Sequence, residues 1–258
     1  MALPPSRAVP RTLLGALGLS LLALLAALTA APPASAVVGG APADAARYPW
    51  LAAVGSPLFV LRPAGQFCGG ALIRPDQVLT AAHCASMFKA VPGLLNVTFG
   101  RGDLGRKGGE TVSVRSVRVH PAYRETKFKD ETVGHHDLAV LTLSRKVARR
   151  PVPLGSPGAA RTGEVAGWGT TSEKDLFNTR LRAAAVPLPG NAACARAYGG
   201  SFDPSDMLCA GSPKADTCQF DSGGPLLVNG RLAALTSWAY GCARRGYPGV
   251  YARVASLP

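Results

Sequence analysis

The chain has 258 residues, with 28 Lys and Arg against 15 Asp and Glu, giving a formal charge of +13. Its residues are 47% hydrophobic and only 17% charged, a balance that excludes an intrinsically disordered protein. Thirty Gly and 22 Pro argue against a helical bundle and for short strands joined by turns, and six Cys are too few for a disulfide mesh to replace a core.

Arg7 and Arg11 precede an apolar stretch from Leu13 to Leu28, and small residues follow, ending in Ala34-Ser35-Ala36. A basic start, an apolar middle and an A-x-A site make the layout of a secretory signal over residues 1–36. A membrane anchor is the rival reading, because the stretch is nearly long enough to span. Against it, Pro32-Pro33 close the run and no basic stop-transfer cluster follows. Removing residues 1–36 takes away two Arg and no acid, leaving 222 residues with 26 basic and 15 acidic side chains, or +11. That charge favours solubility and loose attachment to acidic surfaces. Its densest cluster, Arg145, Lys146, Arg149 and Arg150, has no interleaved aromatic residues and reads as a solvated face, not a nucleic-acid site. Export to an oxidising compartment makes three disulfides the default for six Cys.

Further along, an apolar strand-like run from Ile73 to Leu79 leads into Thr80-Ala81-Ala82-His83-Cys84. A lone His beside a Cys is ordinarily structural. His135 and His136 are adjacent, so on a strand they face opposite ways and do not share a metal; no acidic calcium loop is present, and no metal or cofactor is expected. His136-Asp137-Leu138-Ala139-Val140-Leu141 sets an acid at the head of an apolar strand. Then Cys218-Gln219-Phe220-Asp221-Ser222-Gly223-Gly224-Pro225 places a Ser in a tight glycine turn.

Each block alone is moderate evidence; the three together carry a chemistry. A serine hydroxyl is a poor nucleophile at neutral pH and needs a base within hydrogen-bond reach. Histidine titrates near neutrality and has two distinct nitrogens. A buried carboxylate on the far nitrogen fixes the tautomer and stabilises the imidazolium. The order His83, Asp137, Ser222 differs from the Ser, Asp, His of α/β-hydrolases and the Asp, His, Ser of subtilisins. A G-x-S-x-G elbow is also excluded, since Phe220 stands where its first Gly would be.

With these blocks in place, the sequence resembles the chymotrypsin-like serine peptidases, and among them the trypsins, especially secreted bacterial ones. The resemblance runs from Val37 to about Val254 and includes Val37-Val38-Gly39-Gly40, Cys68-Gly69-Gly70, Gly167-Trp168-Gly169, Ser237-Trp238 and Pro248-Gly249-Val250-Tyr251. It implies an all-β fold of two antiparallel β-barrels with the active site in the cleft between them. Residues 37–147 would form the first barrel, 148–163 the crossover and 164–258 the second, without the usual C-terminal helix. By the same resemblance the disulfides would be Cys68–Cys84, Cys194–Cys209 and Cys218–Cys242. His83, Asp137 and Ser222 would be catalytic, with the N–H groups of Phe220 and Ser222 as the oxyanion hole.

Asp216 lies six residues before Ser222, where trypsins hold the base of the specificity pocket. A carboxylate buried in an apolar slot demands a cation, which implies cleavage after Arg or Lys. A solvated loop acid is the bland alternative. Thr217 would add a hydroxyl, Gly249 would keep the pocket wall open, and Gln219, Ser237, Trp238 and Ala239 would line the substrate path. Val37 resembles the new N-terminus of an activated trypsin, whose freed ammonium pairs with the aspartate matching Asp221. Signal cleavage after Ala36 would expose Val37 directly; cleavage a few residues earlier would leave a short Ala/Pro-rich pro-segment.

Two positions depart from the family pattern, Phe220 and Ala239, both usually Gly. A bulky residue takes a positive φ only with strain, and a phenyl ring is expected near the leaving-group side. A methyl group at Ala239 narrows the pocket mouth. The leading expectation is a secreted, extracellular, monomeric serine endopeptidase acting on protein or peptide substrates through an acyl-enzyme. Protein protease inhibitors are expected partners; nucleic acid, and membrane after signal cleavage, are not. The alternative is a protease-fold binding protein of low or no activity.

Overall fold

A computed structural model of the protein describes Met1 and residues 37–175 and 177–257. The expected export signal therefore lies, apart from Met1, outside the described residues. From Val37 onward the chain forms one unit, and among its described residues no helix is long and apolar enough to cross a membrane.

The described chain is built almost wholly of antiparallel strands, with two short α-helices, α1 (Ala82–Ala85) and α2 (Asn191–Tyr198). Six strands close into a barrel: β2 (Leu51–Gly55), β3 (Gln66–Arg74), β4 (Gln77–Thr80), β5 (Asn96–Phe99), β6 (Glu110–Val119) and β9 (Ala139–Leu143), in the order β2-β3-β4-β9-β6-β5. Closure satisfies the ladder on both sides of every strand, which an open edge cannot do. The sequence supports this with alternation: in β6, Val112 and Val114 point inward between exposed neighbours. A register shift between Val114 and Ser116 then moves the inward face to Val117. This is the mark of a bulge, which bends a strand around a barrel corner.

The second half is a seven-stranded sheet: β1 (Ala41–Pro42), β10 (Thr162–Gly167), β11 (Arg182–Pro187), β12 (Met207–Ala210), β13 (Pro225–Val228), β14 (Arg231–Trp238) and β15 (Gly249–Arg253), ordered β1-β11-β10-β13-β14-β15-β12. β1 comes from the beginning of the unit yet pairs with β11 of this second half. Val37, fully buried, packs there with Val165, Val186, Leu226 and Tyr251. Burying such a side chain contributes about 1.5–3 kcal/mol.

Between β9 and β10 the chain passes from one half to the other. Val152 N–H donates to Leu72 O of the barrel, and Gly155 N–H donates to Leu232 O of the second sheet. A separate hairpin, β7 (Arg124–Phe128) and β8 (Glu131–His135), leans from the first half toward the second. Its Phe128 packs edge-on to Tyr198 at 5.3 Å and Tyr240 at 5.9 Å. Offset and edge-on ring pairs of this kind are favourable beyond the area they bury. The described chain ends in a single 3-10 turn, Val254–Ser256, followed by Leu257.

Candidate active site

Three loops deliver the key side chains. His83 sits in α1, directly after β4; Asp137 lies in the tight connection from β8 to β9; Ser222 belongs to the turn that leads into β13. The connection before β9 is sharp because His136 has φ 48° and the Leu138 N–H closes on His136 O at 2.7 Å. His136 N–H is itself held by Asp206 Oδ2 at 2.5 Å. Asp137 is thereby turned inward, with no exposed surface.

The Asp137 carboxylate is fully engaged. Its Oδ2 accepts from His83 Nδ1 at 2.7 Å and from the Ser237 hydroxyl at 2.5 Å, while Oδ1 accepts from the His83 backbone N–H at 2.9 Å. Burial pushes the Asp137 pKa up, but the charge of His83 and these hydrogen bonds outweigh it and hold the carboxyl below its usual range. Burial likewise works against a charged His83, yet the Asp137 carboxylate prevails and raises the imidazole above its ordinary value. Asp137 occupies Nδ1, and Nε2, with Cys84 Sγ 3.5 Å away, is the nitrogen not held by the carboxylate.

Ser222 shares a cleft between the halves with His83, its hydroxyl without a hydrogen-bond partner among the described residues. Gly69 N–H of β3 donates to Ser222 O at 2.7 Å, and the Cys68–Cys84 disulfide, next in sequence to His83, brings Cys84 Sγ to 3.8 Å from the same oxygen. Ser222 and His83 line one cleft of about 760 Å³. Cys68, His83 and Cys84 place donor atoms within 4.8 Å of one another, but the two sulfurs are bonded to each other and offer no thiolate to a metal.

The Ser222 turn is held from below by Asp221, whose carboxylate accepts from Gly169 N–H at 2.8 Å and Cys218 N–H at 3.2 Å. A Cβ at Gly169 would fall on this carboxylate, so only glycine allows the approach. Burial raises Asp221 to about 7, against those two hydrogen bonds and the charge of Arg62. Phe220 has φ 71°. The Gln219 carbonyl ahead of it accepts from Thr170 N–H at 2.9 Å, and a trans peptide sends the Phe220 N–H to the opposite side. Among the described residues neither Phe220 N–H nor Ser222 N–H has a hydrogen-bond partner. The Phe220 ring packs beneath Arg62, 4.1 Å from its guanidinium carbon, instead of standing in the cleft.

Residues 37–257 match the protein family described as Trypsin. The chain belongs to the trypsin family. A trypsin from Saccharopolyspora erythraea is 40% identical over 229 residues, covering 85% of this chain and 94% of that one. Trypsin 5G1 from Aedes aegypti is 38% identical over 237 residues, covering 86% and 82%. Among solved structures, neuropsin, a serine protease expressed in the limbic system of mouse brain, superposes with a TM-score of 0.72 at 32% identity, covering 84% of this chain and 95% of that one. The protein is thus a chymotrypsin-like serine endopeptidase, with an all-β fold and three disulfides, Cys68–Cys84, Cys194–Cys209 and Cys218–Cys242.

Of the residues that the trypsin-family resemblance nominated for substrate, Thr217, Gln219, Ser237, Trp238 and Ala239 line the cleft with His83 and Ser222. Asp216 lies just behind that wall, fully buried, its carboxylate accepting from Thr217 N–H at 2.9 Å and Ala243 N–H at 3.0 Å. Burial lifts it to about 7, against those two hydrogen bonds. A Cβ at Gly249 would come within 2.9 Å of Asp216 Oδ1, so glycine is what lets the strand pass the carboxylate. The Ser237 hydroxyl is spent on Asp137, and that of Thr217 on Tyr251 Oη at 3.0 Å.

Several contributors carry no signal in the sequence. Glu125, Asp130 and Glu131 of the β7–β8 hairpin, with Glu173, also line the cleft, making its wall acidic in a strongly basic chain. In sequence they look like ordinary hairpin and loop acids interspersed with Lys127 and Lys129. Thr170, three residues beyond Gly167, holds Gln219 twice, by its N–H and by a 2.9 Å bond from Oγ1 to Gln219 Oε1. Arg62 and Gln66, in and after a loop between β2 and β3, belong to no motif at all.

Proposed function

We propose that this trypsin-family protein is a secreted endopeptidase cleaving after Arg or Lys, with His83, Asp137 and Ser222 as its catalytic residues. The observation that carries the reading is the convergence of the Asp137–His83 pair, at 2.7 Å, with Ser222 on one cleft. Ser222 Oγ attacks the scissile carbonyl carbon while its proton passes to His83 Nε2. The carbonyl oxygen, now negative, is met by the N–H groups of Phe220 and Ser222, the two that have no other partner among the described residues. His83 then gives its proton to the leaving nitrogen, the C–N bond breaks, and an acyl-Ser222 ester remains. Water repeats the cycle: its proton goes to His83, its oxygen bonds to the acyl carbon, and Ser222 Oγ leaves with the proton returned. Asp137 stays ionised throughout, keeping the proton on Nδ1.

Preference for a basic side chain is supported by Asp216, buried behind Thr217 and Gly249 with no cationic partner among the described residues. The acidic rim of Glu125, Glu131 and Glu173 favours the same charge on the approaching peptide. Ser237, Trp238 and Ala239 offer the edge along which the substrate backbone would pair. Processing that frees the Val37 ammonium would supply Asp221 with a counter-charge; the burial of Val37 within the second-half core supports that assignment. Secretion is supported by the signal layout of residues 1–36 and by three disulfides.

The test uses secreted protein whose first residue has been established by mass. An organophosphate should label Ser222 stoichiometrically, and arginyl and lysyl chromogenic amides should be hydrolysed far faster than phenylalanyl ones. Equal turnover of all three would remove the basic preference, and no Ser222 adduct would remove the catalytic assignment.

A further inference from the structure

Within residues 218–222 only Phe220 adopts a positive φ, 71°, which places a bulky L-residue in left-handed backbone. Such a conformation persists only where the surroundings over-determine it. The surroundings here are specific. Gln66 Nε2 donates to Phe220 O at 2.9 Å and to Cys68 O at 3.2 Å. Gln66 Oε1 accepts from Arg62 Nε at 2.9 Å, which fixes which way the amide faces. The Arg62 guanidinium donates to Trp168 O at 2.8 Å and Asn178 O at 2.7 Å, and covers the Phe220 ring with its carbon 4.1 Å from the ring centre. Both residues are almost fully buried, Arg62 at 6% exposed and Gln66 at 1%. A buried arginine on a loop is costly unless its donors are used, and this one donates to Gln66, Trp168 and Asn178 while its face covers the Phe220 ring.

We infer that Arg62 and Gln66 are positioning residues for the oxyanion hole, a clamp that fixes the Phe220 ring and carbonyl so that its N–H faces the cleft. The inference rests on His83, Asp137 and Ser222 being catalytic, as proposed above. Thr170 holds the preceding carbonyl from the other side, so the peptide carrying the Phe220 N–H is pinned at both ends. Where the family pattern has Gly, no Cβ opposes a positive φ and no clamp is required. In this chain the clamp replaces that freedom.

The inference is tested by steady-state kinetics on an arginyl amide, with Arg62→Met and Gln66→Leu made separately in the full chain and each preparation corrected for the fraction of sites labelled by organophosphate. kcat should fall about 10- to 100-fold, less than the 10²–10³ lost when an oxyanion donor is deleted outright, while KM stays within about twofold. Binding of an arginyl aldehyde, which places an oxyanion in the hole, should weaken in parallel. In a Phe220→Gly background, Arg62→Met should cost nothing further, because glycine adopts the conformation unaided. An equal kcat loss in both backgrounds, or an unchanged kcat in both single variants, overturns the inference. If Arg62→Met does not accumulate folded, Gln66→Leu carries the same comparison, since it removes the bond to Phe220 O while the Arg62 guanidinium keeps its bonds to Trp168 O and Asn178 O. Wild-type protein that neither hydrolyses the amide nor takes the label would instead overturn the catalytic reading itself.

Discussion

Ser237 donates its hydroxyl proton to Asp137 across the boundary between the two halves, 2.5 Å away, on the same carboxylate oxygen that His83 Nδ1 engages. The carboxylate proposed to orient the base is thus fixed by a residue of the opposite sheet. A hydrogen bond to a buried charge is worth about 1.5–3 kcal/mol, so Ser237→Ala should lower kcat/KM by about 10- to 100-fold and reduce the melting temperature. Asp137→Asn, which favours the wrong imidazole tautomer, should cost about 10⁴ in kcat with the fold retained. Progress curves with an arginyl amide and a thermal melt measure both.

The acid limb of the activity profile follows from His83. A base must be neutral to accept a proton, and the Asp137 carboxylate, outweighing burial, holds this imidazole above its ordinary 6.5. kcat/KM should therefore fall on the acid side with a midpoint above 6.5. An apparent pKa well below that value would show that burial governs His83, not Asp137.

Asp216 predicts a second pH effect, separable from the first. Burial keeps its carboxyl near 7, so below that pH the uncharged form dominates when no cation is bound. KM for arginyl substrates should rise as pH falls through about 7, while KM for a phenylalanyl substrate should not. Asp216→Ser should abolish this difference and lower kcat/KM for arginyl substrates by about 10²- to 10³-fold, corresponding to about 2.7–4 kcal/mol for stranding a buried cation.

Asp221 links processing to stability. Its folded pKa, about 7, lies above the ordinary 3.8 of an aspartate. A carboxyl raised in this way stabilises the fold fully below its unfolded pKa of about 4, and that contribution is lost as pH rises through its folded value. Pairing with a freed Val37 ammonium would lower the folded pKa and remove the loss. The melting temperature of protein beginning at Val37 should therefore exceed that of the unprocessed chain by an amount that grows from about pH 5 to about pH 8. A constant difference across that range would mean that Asp221 is not the group that gains the ammonium.

The short blocks TAAHC, HDLAVL and CQFDSGGP are readable because each combines a reactive side chain with the local geometry that displays it. The predominance of strands is likewise written into the Gly and Pro content, whereas a barrel is implied only by the resemblance to the trypsin family. The role of Phe220 is harder to read. Its positive φ can be anticipated from the position, but not the direction of its ring, which depends on a guanidinium 158 positions earlier in the chain. Glu125 and Glu131 are invisible as cleft residues because an exposed hairpin acid looks the same wherever the hairpin leans. The lean comes from Phe128 packing on Tyr198 and Tyr240, contacts that no local pattern encodes.

The order of residue types along the chain narrows the chemistry, because it fixes which nucleophile, base and acid are available and therefore the class of reaction proposed for them. How that chemistry is held depends on folding. Covalent neighbours set what a side chain can do, whereas packing between distant segments sets where it points and whether water reaches it. Asp137, Asp216 and Asp221 are chemically identical in the sequence. Folding removes all three from solvent, yet His83 beside Asp137 draws its pKa down while the other two rise to about 7.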